Sequence, residues 1–221
     1  MKRRAPYILW DWNGTLLDDT SAGLEAFNVQ LRKRSLPPID RAFYRAHFAF
    51  PVKPFYSLCG IALEHEDWDV LAAEYHAAYA DQPKALNAET FAALDYAKSQ
   101  GARQSIISAL RRDLLDDITI RLGVAPYMEF VYGVDNLDGS SKLSRARELV
   151  ATLRKSDPDG DFVLIGDALH DKEVADALGV RCVLCAQGSH SAERLRAVAP
   201  TGETLLDAIH LAFSAEAANL V

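Results

Sequence analysis

Three runs rich in strand formers end on residues that carry charge or a hydroxyl. Tyr7-Ile8-Leu9-Trp10 leads into Asp11-Trp12-Asn13-Gly14-Thr15, Gln104-Ser105-Ile106-Ile107 into Ser108, and Phe162-Val163-Leu164-Ile165-Gly166 into Asp167. Such runs read as buried strands that stop at polar turns. A carboxylate at the end of a buried strand is costly unless a cation or hydrogen-bond donors meet it, so Asp11 and Asp167 mark a place that receives something charged. Alone, Asp11 would read as a cap for the turn before Leu16, and the later residues change that reading. In a parallel sheet the residues just past the strand ends share one edge, where open α/β sheets bind ligands. Asp11, Ser108 and Asp167 then become neighbours.

Two carboxylates and a main-chain carbonyl make an all-oxygen site suited to Mg²⁺, which takes one or two carboxylates and keeps waters for a phosphate. Asp171, four residues after Asp167 in the first turn of the next helix, reaches the same cation directly or through water. A strand-end Asp, a hydroxyl, Mg²⁺ and a lysine together imply phosphoryl transfer through an aspartyl-phosphate. Asp11 would attack phosphorus, Mg²⁺ and a lysine would balance the charge, and Ser108 with nearby backbone N–H groups would hold the oxygens. Lys142, opening a helix after a polar loop, is the lysine best placed to reach in.

The elements that position these groups follow from periodicity. After Thr15, Asp18-Asp19-Thr20-Ser21 offers N-caps, Leu24, Phe27, Asn28 and Leu31 recur at helical spacing, and Pro37-Pro38 ends the element. Residues 40–48, 52–59 and 66–80 read as further helices joined by Pro51, Pro54 and Gly60, with no strand between Leu17 and Pro83. Residues 17–83 are therefore expected to form a small all-helical unit inserted into a core of 1–16 and 84–221.

From Asn87, which caps a helix turning Phe91 and Leu94 inward, helices and strands alternate. Leu114, Leu115, Ile118 and Leu122 mark one helix, 130–133 a short strand, and Asp135, Asp138, Gly139 and Ser140 a loop. Helix 142–153, the strand to Asp167, helix 171–178, strand 181–185 and helical stretches near 192–198 and 203–213 complete the chain. This alternation predicts an α/β fold, a doubly wound parallel sheet with right-handed crossovers. Trp10 and Trp12 read as packing residues on opposite faces of the first strand.

Asp11-Trp12-Asn13-Gly14-Thr15, then Ser108, Lys142 and Gly166-Asp167-Ala168-Leu169-His170-Asp171, stand in the order of the four motifs of the haloacid dehalogenase superfamily. The likeness spans essentially the whole chain and most resembles the phosphoglycolate-phosphatase-like branch, which carries a cap domain where 17–83 falls here. The resemblance implies a Rossmann-like core, Mg²⁺ dependence and Asp11 as nucleophile. It further implies the Asn13 main-chain carbonyl and Asp167 as metal ligands beside Asp11, and cap residues that choose the substrate. Gly14, Thr15, Ser108, Ala109 and Lys142 are the candidate contacts to the substrate's phosphoryl end.

Two positions depart from the pattern. The family's usual second aspartate is Asn13, whose amide can neither protonate a leaving oxygen nor deprotonate the attacking water; losing such a group slows a reaction by roughly 10²–10⁴-fold. That implies a slow phosphatase, one whose leaving group is already acidic, or recruitment of another group such as His170 or His47. Ala109 stands where an Asn often follows the Ser or Thr, removing one hydrogen bond to substrate. In the inserted unit, His47-Phe48-Ala49-Phe50-Pro51-Val52-Lys53 has the make-up of a specificity loop over an anionic substrate, so His47 and Lys53 join His170 as candidate substrate contacts. The competing reading makes Phe48, Phe50 and Phe55 core and leaves Lys53 in solvent.

Composition narrows the rest. Of 221 residues, 49% are hydrophobic and 25% charged, which is ordinary for a soluble protein with a substantial core. A net charge of −7 disfavours nucleic acid or an anionic membrane as partner. Cys182 and Cys185 lie in an apolar run and read as buried, not as redox or zinc ligands. Lys2-Arg3-Arg4 resembles the start of a signal peptide, but Asp11 and Asn13 interrupt the apolar stretch, and no segment is long enough to span a bilayer. A cytoplasmic monomer or homodimer acting on a small phosphorylated metabolite is expected. A receiver domain would carry its acid pair before the phosphorylated Asp, and the Gly-x-x-x-x-Gly-Lys-Ser/Thr of a P-loop kinase is absent. Dehalogenases of the same superfamily work without Mg²⁺, against which the Asp167/Asp171 pair argues. The alternative function is a weak or inactive protein that binds a phosphorylated ligand or partner because of Asn13.

Overall fold

The computed structural model describes residues 4–134 and 142–214. Lys2, Arg3 and the loop carrying Asp135, Asp138, Gly139 and Ser140 lie outside the described residues. The first strand, β1 (Tyr7–Trp10), is buried along its whole length, with Ile8 and Trp10 in one core and Tyr7 and Leu9 in another. Burial on both faces is what a central parallel strand requires.

The chain continues through β2 (Leu17–Asp18), α1 (Thr20–Lys33), α2 (Arg41–His47), α3 (Lys53–Leu58), α4 (Trp68–Ala80) and β3 (Ala85–Leu86). It then alternates: α5 (Thr90–Ser99), β4 (Gln104–Arg111), α6 (Arg112–Arg121), β5 (Phe130–Val134), α7 (Lys142–Ser156), β6 (Phe162–Gly166), α8 (Leu169–Leu178), β7 (Arg181–Cys185), α9 (Ala192–Arg196), β8 (Thr201–Gly202) and α10 (Leu205–Phe213). The six-stranded sheet has the order β5-β4-β1-β6-β7-β8, and its pairings are parallel. From β1 the chain builds outward to one side with β4 and β5 and then to the other with β6, β7 and β8. The switch point therefore lies beside β1, where Asp11, Ser108 and Asp167 converge.

Helices α5, α6 and α10 cover one face of this sheet and α7, α8 and α9 the other. The residues between β2 and β3 have their own core, built from Phe27, Leu31, Tyr44, Phe55, Tyr56, Ile61 and Leu71.

Several expectations need correction. Leu17–Asp18 pairs antiparallel with Ala85–Leu86, a ribbon at the root of the helical unit where no strand was expected. Two-residue strands are too short for alternation to show. Strand β4 runs three residues past Ser108, and β8 was not anticipated. Helix α5 starts at Thr90, because the Asn87 side chain accepts from Glu89 N at 3.0 Å and so shapes the turn before the helix. Leu94 is fully buried, but Phe91 points outward, 42% exposed, as does Leu114. Trp10 and Trp12 share one core cluster, as residues two apart along an extended chain must. Cys182 and Cys185 are buried and free, in different cores. Among the described residues, no helix is long and apolar enough to cross a membrane.

Candidate active site

The turn after β1 is tied to the neighbouring strand by Asp11 N–H, which donates to the Ile165 carbonyl at 2.8 Å. Around it, carboxylate oxygens of Asp11, Asp167 and Asp171 lie within 4.8 Å of one another, and all three residues are buried. Lys142, itself only 4% exposed, donates to Asp171 Oδ1 at 2.5 Å and forms a short ion pair with Asp11 Oδ1. The other Asp171 oxygen accepts from the N–H groups of Asp167 and Ala168, each at 3.0 Å. Both oxygens of Asp171 are thus engaged, one fixing the loop after β6 and the other the lysine.

Thr15 Oγ1 lies 3.3 Å from Asp11 Oδ2 and 3.4 Å from Asp167 Oδ1, so its hydroxyl positions the acids themselves. Ser189 N–H donates to Asp167 Oδ2 at 2.5 Å. Gly14 has φ +77°, and any side chain there would collide with the Asp167 carboxylate. Gly166 and Gly188 likewise leave the space that the Asp171 and Asp167 carboxylates occupy.

Three acids share one ammonium. Burial pushes Asp11 well above the usual carboxylate range, with Asp171 and Asp167 adding to the push and Lys142 opposing it. Burial and the Asp171 charge raise Asp167 to about 7. Asp171 is also buried, yet Lys142 and the Ala168 N–H hold it below its ordinary value. Burial disfavours the Lys142 ammonium, but Asp11 and Asp171 outweigh it and raise its pKa. The raised values of Asp11 and Asp167 show that Lys142 alone does not let all three carboxyls ionise together, and a bound cation would do so.

The other side of the turn holds a second buried carboxylate. Asp19 stands at the N-cap position of α1, as expected, but its side chain makes no cap hydrogen bond. It accepts instead from Gly14 N at 2.7 Å, Asn13 Nδ2 at 2.7 Å and the Tyr79 hydroxyl. Burial raises the Asp19 carboxyl, and these donors pull it back. The Ser108 hydroxyl donates to Asn13 Oδ1 at 3.5 Å, and its oxygen accepts from Leu110 N at 3.0 Å. The sequence marks neither Asp19 nor Tyr79 for chemistry; its one signal is an acid six residues after an amide that stands at the family's usual acid position.

The remaining candidates are scattered. Ala109 is exposed one residue past Ser108. His170 sits beside Glu173, Nδ1 to Oε2 3.2 Å, with its ring 5.5 Å from that of Phe50. The His47 ring packs on Phe43, centroids 4.4 Å apart. The Lys53 ammonium lies 4.7 Å over the Trp68 ring, inside the helical unit and not in the acid cluster. Phe55 belongs to that unit's core and Phe48 packs against it, while Phe50 is 47% exposed.

A clasp that the sequence did not announce joins this unit to the sheet. Arg45 donates to the carbonyls of Ala186 and His190, and Arg194 returns bonds to the carbonyls of Arg45 and Phe48, at 3.0 and 2.8 Å.

The family model for haloacid dehalogenase-like hydrolases matches residues 8–185. The chain belongs to this family. This haloacid dehalogenase-like hydrolase is 25% identical over 201 residues to "Probable phosphatase IndB" of Dickeya dadantii, spanning 88% of the chain and 87% of that relative. Its fold is similar to that of a predicted phosphoglycolate phosphatase from Haemophilus somnus, with a TM-score of 0.68 at 13% identity over 96% of this chain and 99% of that one. It is also similar to Protein Tyrosine Kinase A of Mycobacterium tuberculosis, with a TM-score of 0.74 at 20% identity over 96% and 100% of the two chains. At such identities the two structures speak for the fold alone.

Proposed function

We propose that this hydrolase is a Mg²⁺-dependent phosphatase that cleaves small phosphate monoesters through an aspartyl-phosphate on Asp11. The observation that carries the reading is the buried chain Asp11–Lys142–Asp171 with Asp167 beside it, at the switch point of a parallel sheet. The relative named as a phosphatase supports it.

A hard cation fits the donor set, which is all oxygen, sets three carboxyl groups against one ammonium, and has glycines at 14 and 188 that leave room for the Asp167 carboxylate. Asp11, Asp167 and the Asn13 main-chain carbonyl would hold it, with Asp171, already tied to the Lys142 ammonium and to two backbone N–H groups, reaching it through water. When bound, Mg²⁺ supplies charge neutralisation at the phosphoryl oxygens.

The chain's own groups do the rest. The Asp11 carboxylate attacks phosphorus, and the new P–O bond forms as the ester P–O bond breaks, its electron pair departing with the leaving group. Lys142 balances the gathering charge, and Ser108 donates to a phosphoryl oxygen. Water then attacks the phosphorus of phospho-Asp11, frees phosphate and restores the carboxylate. Asn13 donates no proton to the leaving oxygen, so aryl, acyl and other acidic leaving groups are favoured over alkoxides. Residues 17–83 act as a cap over the site, with Phe50 and His170 at its junction with the core, and the substrate is a small phosphorylated metabolite in the cytoplasm.

The test is inorganic phosphate release from phosphoglycolate, sugar phosphates, nucleotides and an aryl phosphate, with Mg²⁺ or EDTA, and with Asp11→Asn as control. Mg²⁺-dependent release that is lost in the variant supports the reading. Saturable, Mg²⁺-dependent binding of these compounds without release would instead support a phosphate-binding protein.

A further inference from the structure

The two ends of a carboxamide have opposite chemistry, one accepting hydrogen bonds and the other donating them. Which end of Asn13 faces the reacting atoms therefore decides what it can do. Its Nδ2 lies 2.7 Å from Asp19 Oδ2 and 3.2 Å from the Tyr79 hydroxyl oxygen, while its Oδ1 lies on the Ser108 side. Gly14 N–H and the Tyr79 hydroxyl complete the donors around Asp19. With both Asp19 oxygens accepting, turning the amide round would set Asn13 Oδ1 against Asp19 Oδ2, acceptor against acceptor.

We infer that Asp19 and Tyr79 are positioning residues that lock the Asn13 amide with its carbonyl oxygen toward Ser108 and the phosphoryl site and its NH₂ group withdrawn. The inference rests on the phosphatase reading for its chemical consequence but not for its geometry. While Asp11 attacks, the leaving oxygen meets an acceptor and receives no hydrogen bond from Asn13. While phospho-Asp11 is hydrolysed, the same carbonyl oxygen accepts a hydrogen bond from the attacking water and orients it. One locked amide thus works against poor leaving groups in the first half-reaction and assists the second. Tyr79 belongs to α4 of the helical unit, so the lock is complete only with that unit seated on the sheet.

The experiment compares wild type, Asp19→Ala and Tyr79→Phe on a graded series of substituted aryl phosphates and one alkyl phosphate. Here kcat/KM reports attack by Asp11, and kcat on the best leaving groups reports hydrolysis of the phosphoenzyme. Freed from its anchor, the amide rotates and donates to the leaving oxygen. The aryl-over-alkyl preference in kcat/KM then shrinks, by about tenfold in Asp19→Ala, the effect of one hydrogen bond, and by less in Tyr79→Phe. At the same time kcat on the best aryl phosphate falls. A drop by one common factor for every leaving group, or an unchanged preference, overturns the inference.

Tyr79→Phe keeps the shape of the side chain and serves if Asp19→Ala does not fold. A second readout needs no turnover: the Asn13 side-chain amide protons, assigned by NMR from their loss in Asn13→Asp. The lock predicts slow exchange of these protons with solvent in wild type and faster exchange in both variants. Protected protons in a wild type that releases no phosphate would sink the phosphatase reading and leave the lock standing. Unprotected protons would sink the lock whatever the turnover.

Discussion

The turn after β1 has two buried carboxylates on its flanks, Asp11 and Asp19, and each is held by different means. Asp11 is met by an ammonium and crowded by two more acids, so the charge of its buried corner depends on which carboxyls hold protons. Asp19 is met by three neutral donors, from Asn13, Gly14 and Tyr79. A corner built from charges answers to protons and cations, whereas a cage of neutral donors mainly fixes geometry. The first suits a group that must react, and the second suits one that must hold another group still.

The contrast breaks most visibly at Lys142. Replacing it with Met removes the cluster's cation and should slow phosphate release by on the order of 10²–10³-fold. Stability in urea should fall by about 3 kcal/mol or more, as expected when one partner of a buried ion pair is lost. An activity loss with unchanged stability would show that pairing does not hold this corner together.

Next in size is the response to metal and pH. The folded value of Asp167, about 7, lies above the unfolded carboxylate value of roughly 3.9, so the folded state binds the extra proton. Its contribution to stability is complete below pH ~3.9 and is lost as pH rises through about 7. Mg²⁺ should therefore raise the Tm more at pH 8 than at pH 5, by up to about 2.7 kcal/mol in stability at a hundredfold excess over Kd. Equal shifts at both pH values would argue against Asp167 as a ligand.

The neutral corner is probed by moving its charge. Asn13→Asp sets a second carboxylate against Asp19 and should cost about 1–3 kcal/mol at pH 8, less at pH 5. Adding Asp19→Asn should recover most of that loss, a coupling that double-mutant analysis reads directly. The double variant also returns an acid to position 13, so its release of phosphate from alkyl esters should exceed that of wild type. Smallest of all, Tyr79→Phe should cost about 1 kcal/mol and leave the Mg²⁺ response intact.

The charged corner was legible in the sequence and the neutral one was not. Asp11, Ser108 and Asp167 declare themselves because each ends a run of strand formers, and a parallel sheet turns that position into adjacency. Lys142 and Asp171 follow from the starts of the next helices. The Asp19–Tyr79 contact joins residues 60 apart across a helical unit whose path no periodicity describes. Lys53 misled for a related reason: composition showed a cation among aromatics, but which way a six-residue helix faces is decided by packing, here against Trp68. The root of the helical unit escaped notice because its strands are two residues long.

The most direct test of the account is intact-protein mass spectrometry after acid quench of wild type and Asp11→Asn, each mixed with Mg²⁺ and an aryl phosphate. Wild type should gain the mass of one phosphoryl group, mapped to Asp11, and the variant none. Turnover with no covalent phosphate at any quench time, or phosphate on another residue, would contradict it.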